Sequence, residues 1–131
     1  MNPETLKQRT KDFALRIIKL AEALPTSLTG KIIANQIIRC GTSVAANYRA
    51  ACRGRSKAEF TAKLGIVVEE VDETIFWLEM IFEAGIFPKD KINPLLAEAN
   101  ELTAIFVTSH KTASIPKPSI VNRRSSIGDY K

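Results

Sequence analysis

One histidine, two cysteines and one tryptophan among 131 residues leave little material for catalytic or metal chemistry. His110 has no partner motif. A di-metal site in a helical bundle requires Glu-x-x-His on two helices, and Val107 stands where that glutamate would be. HExxH, a CxxC pair, a phosphate-cradling glycine loop and a nucleophile elbow are all missing. The sequence therefore nominates no catalytic residue, no metal ligand and no cofactor, and is read as non-enzymatic. Cys40 and Cys52 fall on one predicted helix, and at ~1.5 Å rise per residue they lie about 18 Å apart. That is far beyond the ~7 Å limit for a disulfide, so both are expected as small buried hydrophobes. No apolar run approaches the ~20 residues of a membrane span, and the start, MNPETLKQRTKDF, is too polar for a signal peptide. The expected location is the cytoplasm.

What remains is the composition of an ordinary globular protein, 45% hydrophobic and 25% charged. Its length suits one domain with a sizeable core. Only six glycines and six prolines interrupt it, several at expected boundaries, which favours helix over sheet. Leu6, Thr10, Phe13, Ile17, Leu20 and Leu24 form a helical seam, widened by Ala14, Ile18 and Ala21, and predict a helix over 4–24 that Pro25 stops. Ile33, Ile37, Cys40, Val44, Tyr48 and Ala51 predict a second helix over 29–53, with Thr26, Ser27 and Thr29 as candidate caps and Gly54 as its C-cap. Gly41 inside it costs about 1 kcal/mol relative to alanine, which implies close approach of a neighbouring helix.

Ser56-Lys57-Ala58-Glu59 matches a capping box, and the run Phe60, Leu64, Val67, Val71, Thr74, Leu78, Ile81 carries a third helix to Ala84, ended by Gly85. Phe76, Trp77, Met80 and Phe82 add a second apolar surface, as expected of a helix buried on two sides, one of them a subunit contact. Asn93-Pro94 reads as cap and first residue of a fourth helix through Leu95, Ala99, Leu102 and Phe106 to about Lys111, the alternative being an earlier start at Asp90 that would put Pro94 where its missing N–H matters. Short connections force the helices to alternate in direction. The expected fold is an all-α, up-down-up-down four-helix bundle over 1–113, with 114–131 a disordered or loosely docked basic tail.

The net charge of +5 is unevenly spread. Residues 31–58 carry six Lys or Arg and no acid, while 59–85 carry a net −6. Arg49, Arg53, Arg55 and Lys57 straddle the turn between helices two and three. Arginine suits phosphate because its planar fork donates two parallel hydrogen bonds, and a helix N-terminus beside Ser56 favours anions. The bland reading is a solvated basic turn that complements a helix dipole. Glu69, Glu70, Asp72 and Glu73 form an acidic group that reads as a solvated or salt-bridged face before it reads as a cation site. A further reading pairs Glu70 or Glu73 with Arg39 or Arg49 of helix two. Gln36, Arg39, Ser43 and Asn47 form a polar line along helix two, expected to be hydrogen-bonded structural groups or an oligomer interface, with ligand contact the competing reading.

The spacing Gln36, Arg39, Ser43, Asn47, followed by Gly54, Arg55, Ser56, Glu59, Phe60 and by Trp77-Leu78-Glu79, resembles the bacterial four-helix-bundle proteins encoded in intervening sequences of large-subunit ribosomal RNA. The resemblance covers roughly residues 13–110. Many members have Ile-Ala-Glu-Gly after the asparagine, where this chain has Tyr48-Arg49-Ala50-Ala51, so no role of that glutamate carries over. Relatives of this type form ring-shaped homopentamers. The similar accessory variability determinant of diversity-generating retroelements binds nucleic acid and a reverse transcriptase through a basic surface. The resemblance implies a homo-oligomer, a pentamer by analogy, that binds nucleic acid (RNA favoured) at Arg49, Arg53, Arg55 and Lys57. The rival expectation is a protein-interaction scaffold assembled through its basic and acidic helices, without nucleic acid.

Overall fold

Side-chain caps set the first three helix starts in the computed structural model, which describes residues 1–116. Asn2 Oδ1 accepts from the Thr5 N–H (2.8 Å) and opens α1 (Pro3–Ala23), with Pro3 in the first turn, where its missing N–H is harmless. Ser27 Oγ accepts from Gly30 (3.2 Å) and opens α2 (Leu28–Cys52). Ser56 Oγ accepts from Glu59 (3.1 Å), while Glu59 Oε1 takes the Arg55 N–H (2.8 Å), opening α3 (Lys57–Ala84) as the capping-box pattern requires. Gly85 closes α3 in the left-handed conformation (φ 68°), and the Ile86 N–H reaches back to the Ile81 carbonyl.

Two boundaries differ from the sequence expectation. α2 ends at Cys52 with Arg53 as its C-cap, and Gly54 after it is not in the left-handed conformation. Its lack of a side chain is used for space instead, since a Cβ there would lie 3.1 Å from the Phe60 nitrogen. The fourth helix, α4 (Lys89–Ser114), starts four residues before the expected Asn93 and carries Pro94 inside it, with no side-chain cap. The early start places Ile92 in the core, fully buried beside Leu95. Burying a side chain of that size stabilises by about 1.5–3 kcal/mol, enough to offset one missing backbone hydrogen bond near a helix start.

Each expected seam is buried: Phe13 and Ile17 of α1, Ile37 and Val44 of α2, Leu64 to Ile81 of α3, Leu102 and Phe106 of α4. Phe60 alone among them is half-exposed, at the open end of α3. Thr10 and Thr74 sit in the core because each hydroxyl donates to its own helix, to Leu6 O (2.9 Å) and Glu70 O (2.7 Å). Consecutive helices pack along their lengths, and α1 touches α4 more sparingly. The α3 start meets the α4 end, where Thr61 Oγ1 donates to the Ala113 carbonyl (3.4 Å), so the neighbours are antiparallel. This is an all-α bundle, and among the described residues there is no strand. The tail expected over 114–131 begins with the last residue of α4, and residues 117–131 lie outside the described part.

Close contact between α1 and α2 has a sequence cause. A Cβ on Gly41 would lie 2.8 Å from the Ile17 side chain, so glycine is what lets the two helices approach. Ala14, Ala45 and Ala46 keep the same seam thin further along.

Candidate nucleic-acid interface

The four nominated cations do not form one cluster. Arg49 and Arg53 stand one turn apart on α2 and are exposed. They line a groove of about 580 Å³ between α1 and α2, whose other wall carries Lys7 and Lys11. Ala14, Ala45 and Ala46 form its floor. Lys11, Arg49 and Arg53 have no carboxylate within ion-pair distance among the described residues, whereas Lys7 pairs with Glu4 at 2.8 Å. Arg55 sits in the turn. Lys57 turns to the opposite side of the bundle, where its Nζ donates to the Ile115 carbonyl (2.5 Å) and lines a second, apolar groove between the α3 start and α4 end.

Lys7 and Lys11 escaped sequence reasoning. Helix one carries acids as well as bases, so its net charge drew no attention. The signal was available only in combination: an i, i+4 lysine pair, and small residues on a helix expected to pack closely against it.

The polar line of α2 divides as well. Arg39 reaches across to α3, where it hydrogen-bonds Glu73 and approaches Glu70 Oε1 at 3.5 Å. Its Nη2 also donates to Gln36 Oε1 (3.2 Å). Trp77 Nε1 donates to Glu73 Oε2 (3.3 Å), tying the tryptophan into the same group. The pairing of Glu70 or Glu73 with an arginine of α2 is therefore present, and Arg39 makes it. Ser43 and Asn47 do not join it. The Asn47 amide instead donates to the Ser43 carbonyl one turn back (2.9 Å).

Glu70 is the strained member. Its Oε1 is inaccessible to solvent and has no hydrogen-bond donor among the described residues. The 3.5 Å approach of Arg39 satisfies an ion-pair distance but not hydrogen-bond geometry. Burial pushes the Glu70 carboxyl above its ordinary range, opposed by Arg39 and reinforced by Glu73 and Glu69. Phe76 and Met80 lie exposed on the same helix, 49% and 39% accessible, and Ile32 on α2 is 50% accessible. Phe76 meets Trp77 edge-on, with ring centroids 4.9 Å apart, so exposed apolar surface adjoins the ion-pair group there.

A second arginine group joins α1 to α4. Arg9 forks onto Glu98 through Nε (2.7 Å) and Nη2 (2.8 Å) and also bonds Glu101. Donating to Glu98 raises the Arg9 pKa above its ordinary value, against the opposing effect of burial. The remaining candidates carry no chemistry. His110 is half-buried with Nε2 over Gly65, where a Cβ would lie 3.3 Å away. Cys40 is buried and Cys52 half-buried, both as free thiols. Burial pushes the Cys40 thiol up, away from reactivity. No helix among the described residues is long and apolar enough to cross a membrane.

A solved crystal structure of a protein of unknown function from the S23 ribosomal protein family of Bacteroides thetaiotaomicron is similar to this chain. It shares 29% identity over 85% of this chain and 99% of its own, with a TM-score of 0.78. No curated protein matches. The family described as 23S rRNA-intervening sequence protein matches residues 5–108, which reach into all four helices and contain the whole Arg39 group. The chain belongs to the 23S rRNA-intervening sequence protein family.

Proposed function

We propose that this protein is a non-enzymatic homo-oligomer that binds nucleic acid, RNA by preference, through the basic surface made by the end of α2 and the turn into α3. One observation carries the reading. Arg49 and Arg53 stand exposed with no carboxylate partner among the described residues, while Arg39 on the same helix is fully engaged. Unpaired arginines in a row are the groups that neutralise phosphate and release counterions. The test is an electrophoretic mobility shift with a structured RNA. Wild type should retard it, with an affinity that falls steeply with salt. An Arg49→Ala, Arg53→Ala, Arg55→Ala, Lys57→Ala variant should not. No shift with wild type, or an equal shift with the variant, overturns the proposal.

Self-association is supported by a different observation, the exposed Ile32, Phe76 and Met80 beside the Arg39 group. A ring, a pentamer by analogy with relatives, would cover them with the next subunit. Phe76→Glu with Met80→Glu should shift the mass measured by light scattering to that of a monomer. These side chains contribute little to the monomer core, so the variant should still fold. A monomeric wild type, or an unchanged oligomer, rules out that interface.

The alternative, a scaffold assembled by charge between α2 and α3 of neighbouring subunits, is weakened by the internal use of Arg39, Glu70 and Glu73.

A further inference from the structure

We infer that nucleic acid is held in the α1/α2 groove, with Lys7 and Lys11 of α1 as the second wall of the site, and that this groove grips the sugar–phosphate backbone without reading bases. The inference rests on the nucleic-acid reading above and says which surface, and which kind of recognition, serves it.

Three features of the groove carry the argument. Its walls are cationic on both sides, Lys7 and Lys11 opposite Arg49 and Arg53, each pair one helical turn apart. A turn advances about 5.4 Å, a stride comparable to that between successive phosphates along an extended strand. The floor is alanine, so a backbone can lie close to the helix axes while the long side chains close around it. Among the described residues the lining contains no aromatic side chain, and stacking on aromatics is what holds splayed bases in single-strand sites. The neutral polar side chains on the lining are committed within their own helices. The Thr42 hydroxyl donates to the Ile38 carbonyl (2.6 Å), and the Gln8 amide donates to Asp12 (2.9 Å).

Arg55 and Lys57 are outside this groove, Lys57 on the far side against Ile115. Glu4 is the one carboxylate on the lining, and it pairs with Lys7 from an exposed position. It opposes an incoming phosphate twice, by repulsion and by occupying a lysine.

The test is fluorescence anisotropy of labelled RNA with the full-length chain at several salt concentrations, on three variants. Lys7→Gln with Lys11→Gln should weaken binding about tenfold at moderate salt and make the log–log salt slope shallower by about 1 per lysine removed. Arg55→Ala with Lys57→Ala, outside the groove, should weaken binding less than the lysine pair does. Glu4→Gln should tighten binding by about two- to fivefold, a gain that misfolding cannot imitate. Wild-type affinity for RNAs of equal length and structure but different sequence should agree within about threefold. If wild type binds no RNA, the nucleic-acid reading itself falls. If it binds and the Lys7, Lys11 variant matches it, or the turn variant loses the binding instead, the groove is wrong and the nucleic-acid reading stands. Strong preference for one sequence overturns backbone-only recognition.

Discussion

Arg39 and the Arg49–Arg53 pair lie on one helix, yet they meet opposite surroundings. Arg39 faces α3 and finds two carboxylates one turn apart, Glu70 and Glu73, with Gln36 and Trp77 completing the group. Arg49 and Arg53 face α1 and find two lysines and a strip of alanine. The same residue type is thus a structural ion in the first half of α2 and an unneutralised charge in the second. Net charge per segment hides this division, because one cation of the basic run is already paired with carboxylates of α3. The half that keeps its charge is the half available to a polyanion.

The largest effect should come from reversing the unneutralised half. Arg49→Glu with Arg53→Glu changes four units of charge in the groove, and RNA affinity should fall by ~100-fold or more near physiological salt. The thermal midpoint should barely move, because exposed substitutions away from caps and core stay within ~0.5 kcal/mol. A large loss of stability with no selective loss of binding would erase the contrast with Arg39.

Next in size is the converse experiment. Arg39→Ala strips Glu70 and Glu73 of their counter-charge, and the less accessible Glu70 is then left without compensation. Denaturant titration should register a loss of about 1–3 kcal/mol, while Arg49→Ala registers almost none. Equal costs at the two arginines would mean that Arg39 is as superficial as its neighbours.

Gly41→Ala probes the seam that makes the groove. The new methyl meets Ile17, and overpacking of this kind costs about 1–3 kcal/mol. Unlike Arg39→Ala, it should also weaken RNA binding, since it pushes apart the two helices that form the walls. Full stability and full binding together would show that the close approach is incidental.

The smallest effect concerns pH. Burial raises the Glu70 carboxyl above its unfolded value. Ionised Glu70 is therefore a penalty on the folded state, absent at pH below the ordinary carboxylate range, where the group is protonated folded and unfolded alike. The penalty grows as pH rises through that range and is complete above the raised folded value. Glu70→Gln should remove it, so the difference in stability between variant and wild type should turn in favour of the variant as pH increases. A difference that is flat with pH, or runs the other way, would mean that Arg39 fully compensates the burial.

The bundle was legible because helix burial is periodic. Leu6 to Leu24, Ile33 to Ala51 and Leu64 to Ile81 could be marked as core from spacing alone, and Ser56 with Glu59 announced the start of α3 within one residue. Local rules failed where tertiary burial outweighed them. Pro94 signalled a helix start, but the core position of Ile92 drew the helix four residues earlier. Gly54 looked like a left-handed cap and proved to be a spacer under Phe60. The site was half legible. Arg49 and Arg53 stood out by charge, and facing helices suggested a pairing of Glu70 or Glu73 with an arginine of α2 without deciding between Arg39 and Arg49. Lys7 and Lys11 could not be joined to them, because which faces of α1 and α2 share a groove depends on how closely the helices pack. Arg9 with Glu98 was hidden for the same reason, its partners being 89 residues apart.

The most direct test of the division along α2 is the salt dependence of binding to a labelled RNA hairpin, measured between 50 and 200 mM salt. With three or four groove cations replacing counterions, each subunit engaged should give a log–log slope of about −2 to −4. Arg49→Ala with Arg53→Ala should bring that slope close to half, and a folded Arg39→Ala protein should leave it unchanged. Affinity that does not vary with salt, or a slope that depends on Arg39 and not on Arg49 and Arg53, would contradict the account.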